Sequence, residues 1–404
     1  MSKSHILPAG RKEFLDECRR LKMAGSAHAY VRGNTARFYE WLGTGSAPKS
    51  IPSGPAIWIC GDCHIGNLGP VSDLEGNVEI QIRDLDQTVI GNPAHDLLRL
   101  GLSLAMAARS SDLPGITTAL MTEILIESYL QGLTGQKPKA SSTKIAPVQK
   151  VMRSALNRKW RHLAEERIED VSPHIPLGPK FWPLTKEERL QLKALFETGE
   201  DNEMIQTLTR GHEGGSLKIC DAAYWLKGCS SLGRVRYAVL IGVGKKHGRR
   251  FRLIDIKEAT KAMAPHAPHA KMPANNAERV VTGARQLSPF LGDRMVPASL
   301  GNRQVVLREL RPQDLKFEFE GLSQEEAILT AGLLASVVGK AHGRQMKRPE
   351  RTAWTRELKR SYSKKLDAPS WLWNGVVDLV AAHEASYLRH CRSYALSQAR
   401  KSIS

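Results

Sequence analysis

No stretch of this chain approaches the run of about 18 apolar residues that a membrane-spanning helix needs. The first eleven residues lack the apolar segment and the cleavage site of a secretory signal. Cysteine is scarce, six in 404 residues, with no spacing that reads as a disulfide framework. These absences lead to the expectation of a reduced, cytoplasmic protein with no membrane partner. No internal repeat is visible. Low-complexity sequence is limited to short stretches at 133–145 and 260–275, which read as loops.

Acidic residues are also short in supply: 41 Asp and Glu stand against 59 Lys and Arg, a formal charge of +18. Such a field attracts polyanions, including nucleic acid, phosphate-rich ligands and acidic proteins. Aromatics make up only 6% of the chain and are little interleaved with the basic stretches, so a stacking surface for nucleic acid is not apparent. A solvated basic surface is the plainer account of the charge, and a nucleotide-binding enzyme would also gain from a positive cleft. Against these absences, 41% hydrophobic and 25% charged residues is ordinary globular composition, and the length suits two or three structural units.

Chemistry-bearing residues concentrate in two short runs. Gly61-Asp62-Cys63-His64-Ile65-Gly66-Asn67 places an Asp and an Asn five positions apart, and Asp84-Leu85-Asp86 follows. In protein kinases a catalytic-loop Asp takes the hydroxyl proton, an Asn five positions on holds metal, and a later Asp holds Mg²⁺ under the phosphates. Asp62, Asn67 and Asp84 have that order and spacing. Ala56 to Ile59, just before, reads as a buried strand, and loops after such strands commonly carry function. A kinase has its nucleotide-binding lobe before these residues, and here the preceding segment is too short for one.

A segment with the parts of that lobe lies further along. Ile219 to Lys227 reads as a strand. Gly228-Cys229-Ser230-Ser231-Leu232-Gly233-Arg234-Val235 fits G-x-G-x-x-G-x-V with Ser230 at the middle glycine. Val235 to Val243 reads as the returning strand, 244–249 as a turn, and Phe251 to Lys257 as a half-buried strand ending in Lys. Gly228 and Gly233 would let backbone N–H groups approach phosphates, with Ser230 and Ser231 between them, and Lys257 would add a point charge. Asn276 to Leu287 reads as a helix in which Glu278 is the candidate partner of Lys257. Gln304 to Leu310 reads as a strand entering a hinge at 309–312, which makes Glu309 a nucleotide-contact candidate. Glu325 to Arg344 is a strong helix with Leu333, Leu334, Val337, Val338 and Ala341 on one face. The parts are complete but rotated, with 219–344 preceding 57–96 in fold order. That is a circular permutation, which is physically reasonable because domain termini often lie close together.

The second run continues as Gly91-Asn92-Pro93-Ala94-His95-Asp96-Leu97. Through Asp84, Gly91, Pro93, Asp96 and Leu97 it resembles the metal-site pattern of the aminoglycoside phosphotransferase and choline kinase branch of the protein-kinase-like superfamily. It departs at Asp86, where that branch often has Gly or Glu, and at Asn92, where it has Asp. Nearly all of 20–400 resembles an uncharacterised bacterial family, domain-of-unknown-function family 2252. Its marks are Met23-Ala24-Gly25-Ser26, Tyr30-Val31-Arg32-Gly33, the two runs above and Lys257-Glu258-Ala259. The resemblance implies an α+β, protein-kinase-like two-lobe fold, circularly permuted, with a mostly helical C-lobe and a small antiparallel-sheet N-lobe. It implies that Asp96 braces the catalytic loop and that His64 fixes it through hydrogen bonds. It brings no known substrate.

On this basis 1–110 holds N-terminal helices with the catalytic and metal-binding loops, 111–215 a helical segment or insertion, 216–320 the N-lobe-like sheet, and 321–404 the last C-lobe helices. One or two helices are expected over 5–42, and two more over 351–399. Each candidate also has a plainer role. Asp62 could be a turn aspartate, Asp86 a solvated loop acid, Arg32 a surface charge, and Asp96 only the cap of a helix over Leu97 to Ala108. His64 could instead be a base or a metal ligand. Cys60-Gly61-Asp62-Cys63-His64 matches the haem-attachment pattern, but that chemistry belongs to exported proteins, and zinc would need a further Cys or His pair.

The expectation is therefore an ATP- and Mg²⁺-dependent phosphotransferase moving the γ-phosphoryl group to a hydroxyl of a small molecule or protein. Asp62 and His64 are the catalytic candidates. Asn67, Asp84 and Asp86 are the metal candidates. Gly228, Ser230, Ser231, Gly233, Lys257, Glu278 and Glu309 are the nucleotide candidates. Two alternatives stay open: a protein adenylyltransferase on the same fold, and an inactive, basic, nucleic-acid-binding pseudokinase.

Overall fold

The computed structural model describes residues 8–44, 50–136, 146–157, 174–197, 205, 207–208, 217–228, 232–243, 250–315, 319, 321–360 and 367–403. The described chain opens with α1 (Pro8–Ala24), α2 (Ala27–Gly33) and α3 (Thr35–Gly43). Ser26 and Asn34 punctuate them: Ser26 Oγ accepts from Ala29 N at 3.0 Å, and Asn34 Oδ1 accepts from Arg37 N at 3.2 Å. Such caps satisfy N–H groups that the first helical turn leaves unpaired. Where one or two helices were expected, these caps divide the segment into three.

Strand β1 (Ile57–Ile59) leads into the first motif. An antiparallel hairpin, β2 (Leu68–Ser72) with β3 (Val78–Ile82), carries the chain to the second motif, and β4 (Val89–Gly91) returns to pair with β1. The β1–β4 register, Ile59 opposite Val89, ties the two motif loops together. Helix α4 (Ala94–Ser110) follows, buried at every residue from Asp96 to Ala108. A helix apolar on nearly all sides belongs inside a core. Then come α5 (Ile116–Thr134) and α6 (Ala146–Asn157).

Next are β5 (Phe181–Trp182), α7 (Lys186–Glu197), β6 (Leu217–Trp225), β7 (Arg236–Val243) and β8 (Arg250–Glu258). Helices α8 (Asn276–Leu287) and α9 (Pro289–Gly292) intervene before β9 (Met295–Leu300) and β10 (Arg303–Leu310). The six strands form one antiparallel sheet in the order β5-β6-β7-β8-β10-β9. Tyr237, Val239, Ile254, Ile256, Val305 and Leu307 fill one face together with Leu192, Leu195 and Phe196 of α7 and Leu15 of α1. On the other face Ala238, Leu240, Leu253 and Leu310 make a smaller apolar cluster. Register sets Arg236, Lys257 and Val306 in one cross-strand row, and Ala238, Asp255 and Arg308 in another. Side chains in such rows, two residues apart along each strand, share a face. The charged end of this face opens toward the motif loops.

The chain ends with α10 (Gln324–Gly343), α11 (Arg348–Lys359) and α12 (Ser370–Ile403). Ser323 and Glu326 form a capping box at the start of α10. Helices α5 and α10 approach closely through small residues. A Cβ on Gly132, Gly339 or Gly343 would strike the carbonyl oxygens of Ser336, Tyr129 and Leu133 respectively. No described helix is long and apolar enough to cross a membrane.

Most expected elements lie within a few residues of their observed bounds, with β6 beginning and ending two residues earlier than read. Strands β2, β3, β4, β5 and β9 were not expected. Of these, β2 and β9 contain proline, Pro70 and Pro297, which argues against a strand except at an edge. Strand β9 is such an edge, and β2 belongs to an isolated hairpin.

The α5–α10 contact gives a direct test. Gly339→Ala should lower unfolding stability by roughly 1–3 kcal/mol through overpacking against backbone. Gly115→Ala, where nothing lies within 4 Å of the new Cβ, should change it by no more than about 0.5 kcal/mol. Urea unfolding measures both, and equal effects would refute the close approach.

Candidate active site

The loop after β1 turns at Gly61, whose φ is +73°. A Cβ there would strike the Gln87 carbonyl, so glycine is required for conformation and for space. One face of α4 then holds the loop. Asp96 Oδ2 accepts from Cys60 N at 2.7 Å and Oδ1 from Gly61 N at 3.0 Å. Arg99 Nε donates to Asp62 Oδ1 at 2.9 Å. Ser103 Oγ accepts from Ile65 N at 3.2 Å. Positions 96, 99 and 103 are spaced i, i+3 and i+7, which is one helical stripe. At the α4 N-terminus it is Asn92 Oδ1 that accepts from Ala94 N, at 3.0 Å, and Asp96 braces the loop instead of capping the helix.

Asp96 is itself braced. His342 Nε2 of α10 lies 3.2 Å from its Oδ2, Tyr129 Oη of α5 is 3.0 Å from His342 Nδ1, and Trp354 Nε1 of α11 donates to Tyr129 Oη at 3.1 Å. Donors and acceptors match along the chain if Nε2 of His342 carries the proton. A buried network with every member satisfied rigidifies what it touches.

Asp62 is buried and doubly engaged, with Thr35 Oγ1 donating to its Oδ2 at 2.9 Å. Burial pushes its carboxyl above the ordinary aspartate range, against the opposing pull of Arg99 and the Thr35 hydroxyl. Asn67 Nδ2 donates to the Asp62 carbonyl at 2.9 Å, which leaves the Asn67 amide oxygen as its remaining polar atom.

His64 corrects one expectation. Its Nε2 is 3.9 Å from Asp62 Oδ2, beyond hydrogen-bond reach, and its Nδ1 has no partner among the described residues. Burial, followed by Arg99 and Arg32, holds it well below the usual histidine range and therefore neutral. It contributes to the loop through its carbonyl, which accepts from Asn67 N at 2.8 Å.

The second motif meets Lys257 across 173 residues of sequence: Nζ lies 3.3 and 3.5 Å from the two Asp84 oxygens and pairs with Asp86. Burial pushes the Asp84 carboxyl up, but the charges of Lys257 and Arg236 more than offset it, so Asp84 sits below the usual carboxylate range. Burial and the neighbouring Asp84 raise Asp86, which also has Arg234 at 3.6 Å. Beside them Arg236 grips Asp255 with two nitrogens, the Nε bond being 2.8 Å.

Two nucleotide candidates are placed elsewhere. Glu278 is exposed on the first turn of α8 and does not pair with Lys257, whose carboxylate partners are Asp84 and Asp86. The next residue, Arg279, turns inward and donates to the carbonyls of Asp86 at 3.0 Å, Thr260 at 2.9 Å and Thr88. Glu309 is buried in β10 in ion pairs with Arg252 at 2.6 Å and Arg311 at 3.2 Å. Strand alternation explains this: Val306 and Arg308 face the cleft, so Glu309 faces away. Gly228 lines the cleft, and both it and Gly233 have positive φ, +87° and +91°. Ser230 and Ser231 lie outside the described residues.

The resulting cleft, about 150 Å³, lies between the sheet and the motif loops. Arg32, Arg83, Lys227, Arg236, Lys257 and Arg308 supply its cations, and Leu85, Val280, Met295 and Val306 its apolar wall. A smaller pocket of about 20 Å³ is bounded by Thr35, Asp62, Asn67, Asp84, Asp86, Gln87 and Arg234. Asn67, Asp84 and Asp86 border both. The sequence reading missed Thr35, Arg99, Arg236, Asp255 and Arg279. Only Arg99 had a local signal, as a charge inside the apolar run Leu97-Leu98-Arg99-Leu100. Among the described residues, no group of three or more His, Cys, Asp and Glu is set to hold a metal alone.

Residues 11–393 match the family described as Uncharacterized protein conserved in bacteria (DUF2252), and the chain belongs to that family. No curated protein and no solved structure matches the chain.

The buried histidines predict how stability responds to acid. His64 and His383 are both held down by burial, His383 to about 3. A depressed histidine is neutral in the fold but binds a proton in the unfolded chain below its ordinary pKa. Its contribution is therefore present above that value and is lost as pH falls toward the folded pKa. From about pH 7.5 to about pH 5.5 His383 should remove on the order of 1 kcal/mol of unfolding free energy, and His64 should act in the same direction. Urea midpoints at the two pH values test this, and a midpoint that rises in acid contradicts it.

Proposed function

We propose that the cleft binds Mg²⁺-ATP and that the protein transfers the γ-phosphoryl group to a hydroxyl. The observation that carries this reading is the placement of Asp62 and Lys257 on two adjoining pockets that share Asn67, Asp84 and Asp86, with Lys257 paired to Asp84. Those residue types in those roles are what phosphoryl transfer needs: a base, two metal ligands and a cation on the phosphates. Three further features support it. Strands β6, β7 and β8, helix α8, then β9 and β10 follow the order of parts in a kinase N-lobe, with the glycine turn between β6 and β7. The cationic lining suits a polyphosphate. A circularly permuted, two-lobe kinase-like fold also accounts for Gln345, just past α10, whose amide bonds Trp58 N at 2.8 Å and Trp58 O at 3.0 Å. The end of α10 thus meets the start of β1 in space, as the unpermuted order would require.

The residues present fit a divalent metal. Mg²⁺ is usually held by one or two carboxylates plus substrate phosphates, not by a closed protein cage. Lys257 already places a cation against Asp84 and Asp86. Asp84, kept ionised, and the Asn67 amide oxygen are the ligands we assign, with Asp86 as a second carboxylate beside them. Bound Mg²⁺ would neutralise charge that builds as the phosphoryl group departs. Lys257 and the N–H groups of Gly228 and Gly233 bind the remaining phosphates. Asp62, oriented by Arg99 and raised by burial, accepts the hydroxyl proton, for which a raised pKa is an advantage. Arg32, which forms no ion pair among the described residues, adds positive charge beside Gly66.

Calorimetry and product mass test the assignment. Wild type should bind ATP only with Mg²⁺, and Asp84→Ala should lose that affinity by about tenfold or more. Asp62→Asn should keep the affinity while transfer falls by about 10²–10⁴-fold. A product carrying AMP would move the assignment to adenylyl transfer. Wild type that binds no ATP would remove it.

A further inference from the structure

The place where Asp62 would hold an acceptor hydroxyl is filled by a hydroxyl of the protein itself. Thr35 Oγ1 donates to Asp62 Oδ2 at 2.9 Å, within the reach a general base needs from the proton it takes. Thr35 is 5% exposed and borders the small pocket that Asp62, Asn67, Asp84 and Asp86 also border. Its hydroxyl is not required where it stands for local structure. Thr35 is the first residue of α3, but the cap is Asn34, whose side chain serves Arg37 N. Arg99 orients Asp62 independently through the other carboxylate oxygen.

We propose that Thr35 is the chain's own acceptor, phosphorylated in cis; this rests on the phosphotransferase reading above. In the transfer, a bond forms between Thr35 Oγ1 and the γ-phosphorus. The bond from that phosphorus to the bridging oxygen breaks, and its electron pair leaves on ADP. The Oγ1 proton passes to Asp62. Base, acceptor and metal candidates border one pocket, so with ATP bound no separate acceptor has to enter, and the transfer is first-order within one chain. The new phosphate sits at the N-terminus of α3, where negative charge is favoured, with Arg234 on the same pocket. It also stands directly before Asp62 and repels that carboxylate. A second hydroxyl is then excluded from the base, so the modification limits itself to one turnover and closes the site to other acceptors.

The test is intact mass and phosphopeptide mapping of the full chain incubated with Mg²⁺-ATP, alongside calorimetric ATP binding. The expected result is one phosphate, mapped to Thr35, with a first-order rate constant independent of protein concentration. It should be lost in Thr35→Val and Asp62→Asn and retained in Thr35→Ser. Mg²⁺-dependent ATP binding with no phosphate on Thr35 overturns this proposal and leaves the nucleotide site standing. A rate constant that rises with protein concentration overturns transfer in cis. Absence of ATP binding overturns both readings. Should Thr35→Val fail to fold, the mapping in wild type and its loss in Asp62→Asn decide the question.

Discussion

The geometry of the motif loops depends on the buried carboxylate of Asp96. It receives two consecutive backbone N–H groups from a loop with little regular structure, where Gly61 must adopt a left-handed conformation. Without that anion the two donors would be unpaired in a dry interior, which costs about 1–3 kcal/mol each. The loop would also have no reason to keep Gly61 where it is. Because Asp96 shares a helical stripe with Arg99 and Ser103, the same rigid helix that fixes the loop backbone also aims the Asp62 side chain. A site whose positioning groups stand on one helix is more precise than one built from several loops. The chain Trp354–Tyr129–His342–Asp96 extends this rigidity through α11, α5 and α10. The close approach of α5 and α10 at glycine is part of the same arrangement, since it keeps Tyr129 and His342 within hydrogen-bond distance.

Net charge says little about this site because the interior is locally balanced. Arg99 stands against Asp62, Arg236 against Asp255, Arg294 against Asp314, and Lys257 against Asp84 and Asp86. Buried cations need such partners or, as with Arg279, several carbonyls, since desolvating an unpaired charge costs several kcal/mol, of the order of 3–5 when one partner is removed. The surplus that makes the chain basic is therefore carried mainly by solvated side chains. Lys257 is the telling case. It is half-buried and the one cation among these shared between two carboxylates; on the proposed reading, an incoming divalent ion and a polyphosphate would exchange with it without leaving either carboxylate unpaired.

What the sequence made legible were features written locally in order and spacing. Asp62, Asn67, Asp84 and Lys257 could be named because each follows a strand pattern or a fixed offset, and the structure brings them together. Glu278 was misplaced although the signal to avoid it was present. Ala277, Val280, Val281, Ala284 and Leu287 define the buried face of α8, and Glu278 lies off it while Arg279 is drawn in to three carbonyls. Glu309 failed for a similar reason: a hinge was read where the strand still alternates, and alternation turns its carboxylate away from the cleft. Thr35, Ser103 and Asp255 carried no local mark at all. Their roles come from partners remote in sequence, and a hydroxyl or carboxylate in a helix or strand looks the same whether or not such a partner exists.

On the proposed permuted reading, the point where the chain order was cut is closed by side-chain chemistry. Gln345 offers one acceptor and one donor to both backbone groups of Trp58, as a neighbouring strand would. His342, one turn earlier, reaches Asp96. A covalent link from α10 into β1 would hold these partners together by chain connectivity alone. With the link absent, they must be held by bonds that tolerate no change of register. On that reading Gln345 and His342 stand in for a peptide connection, and a helix that would otherwise only lead into the loop after β1 has to recognise it.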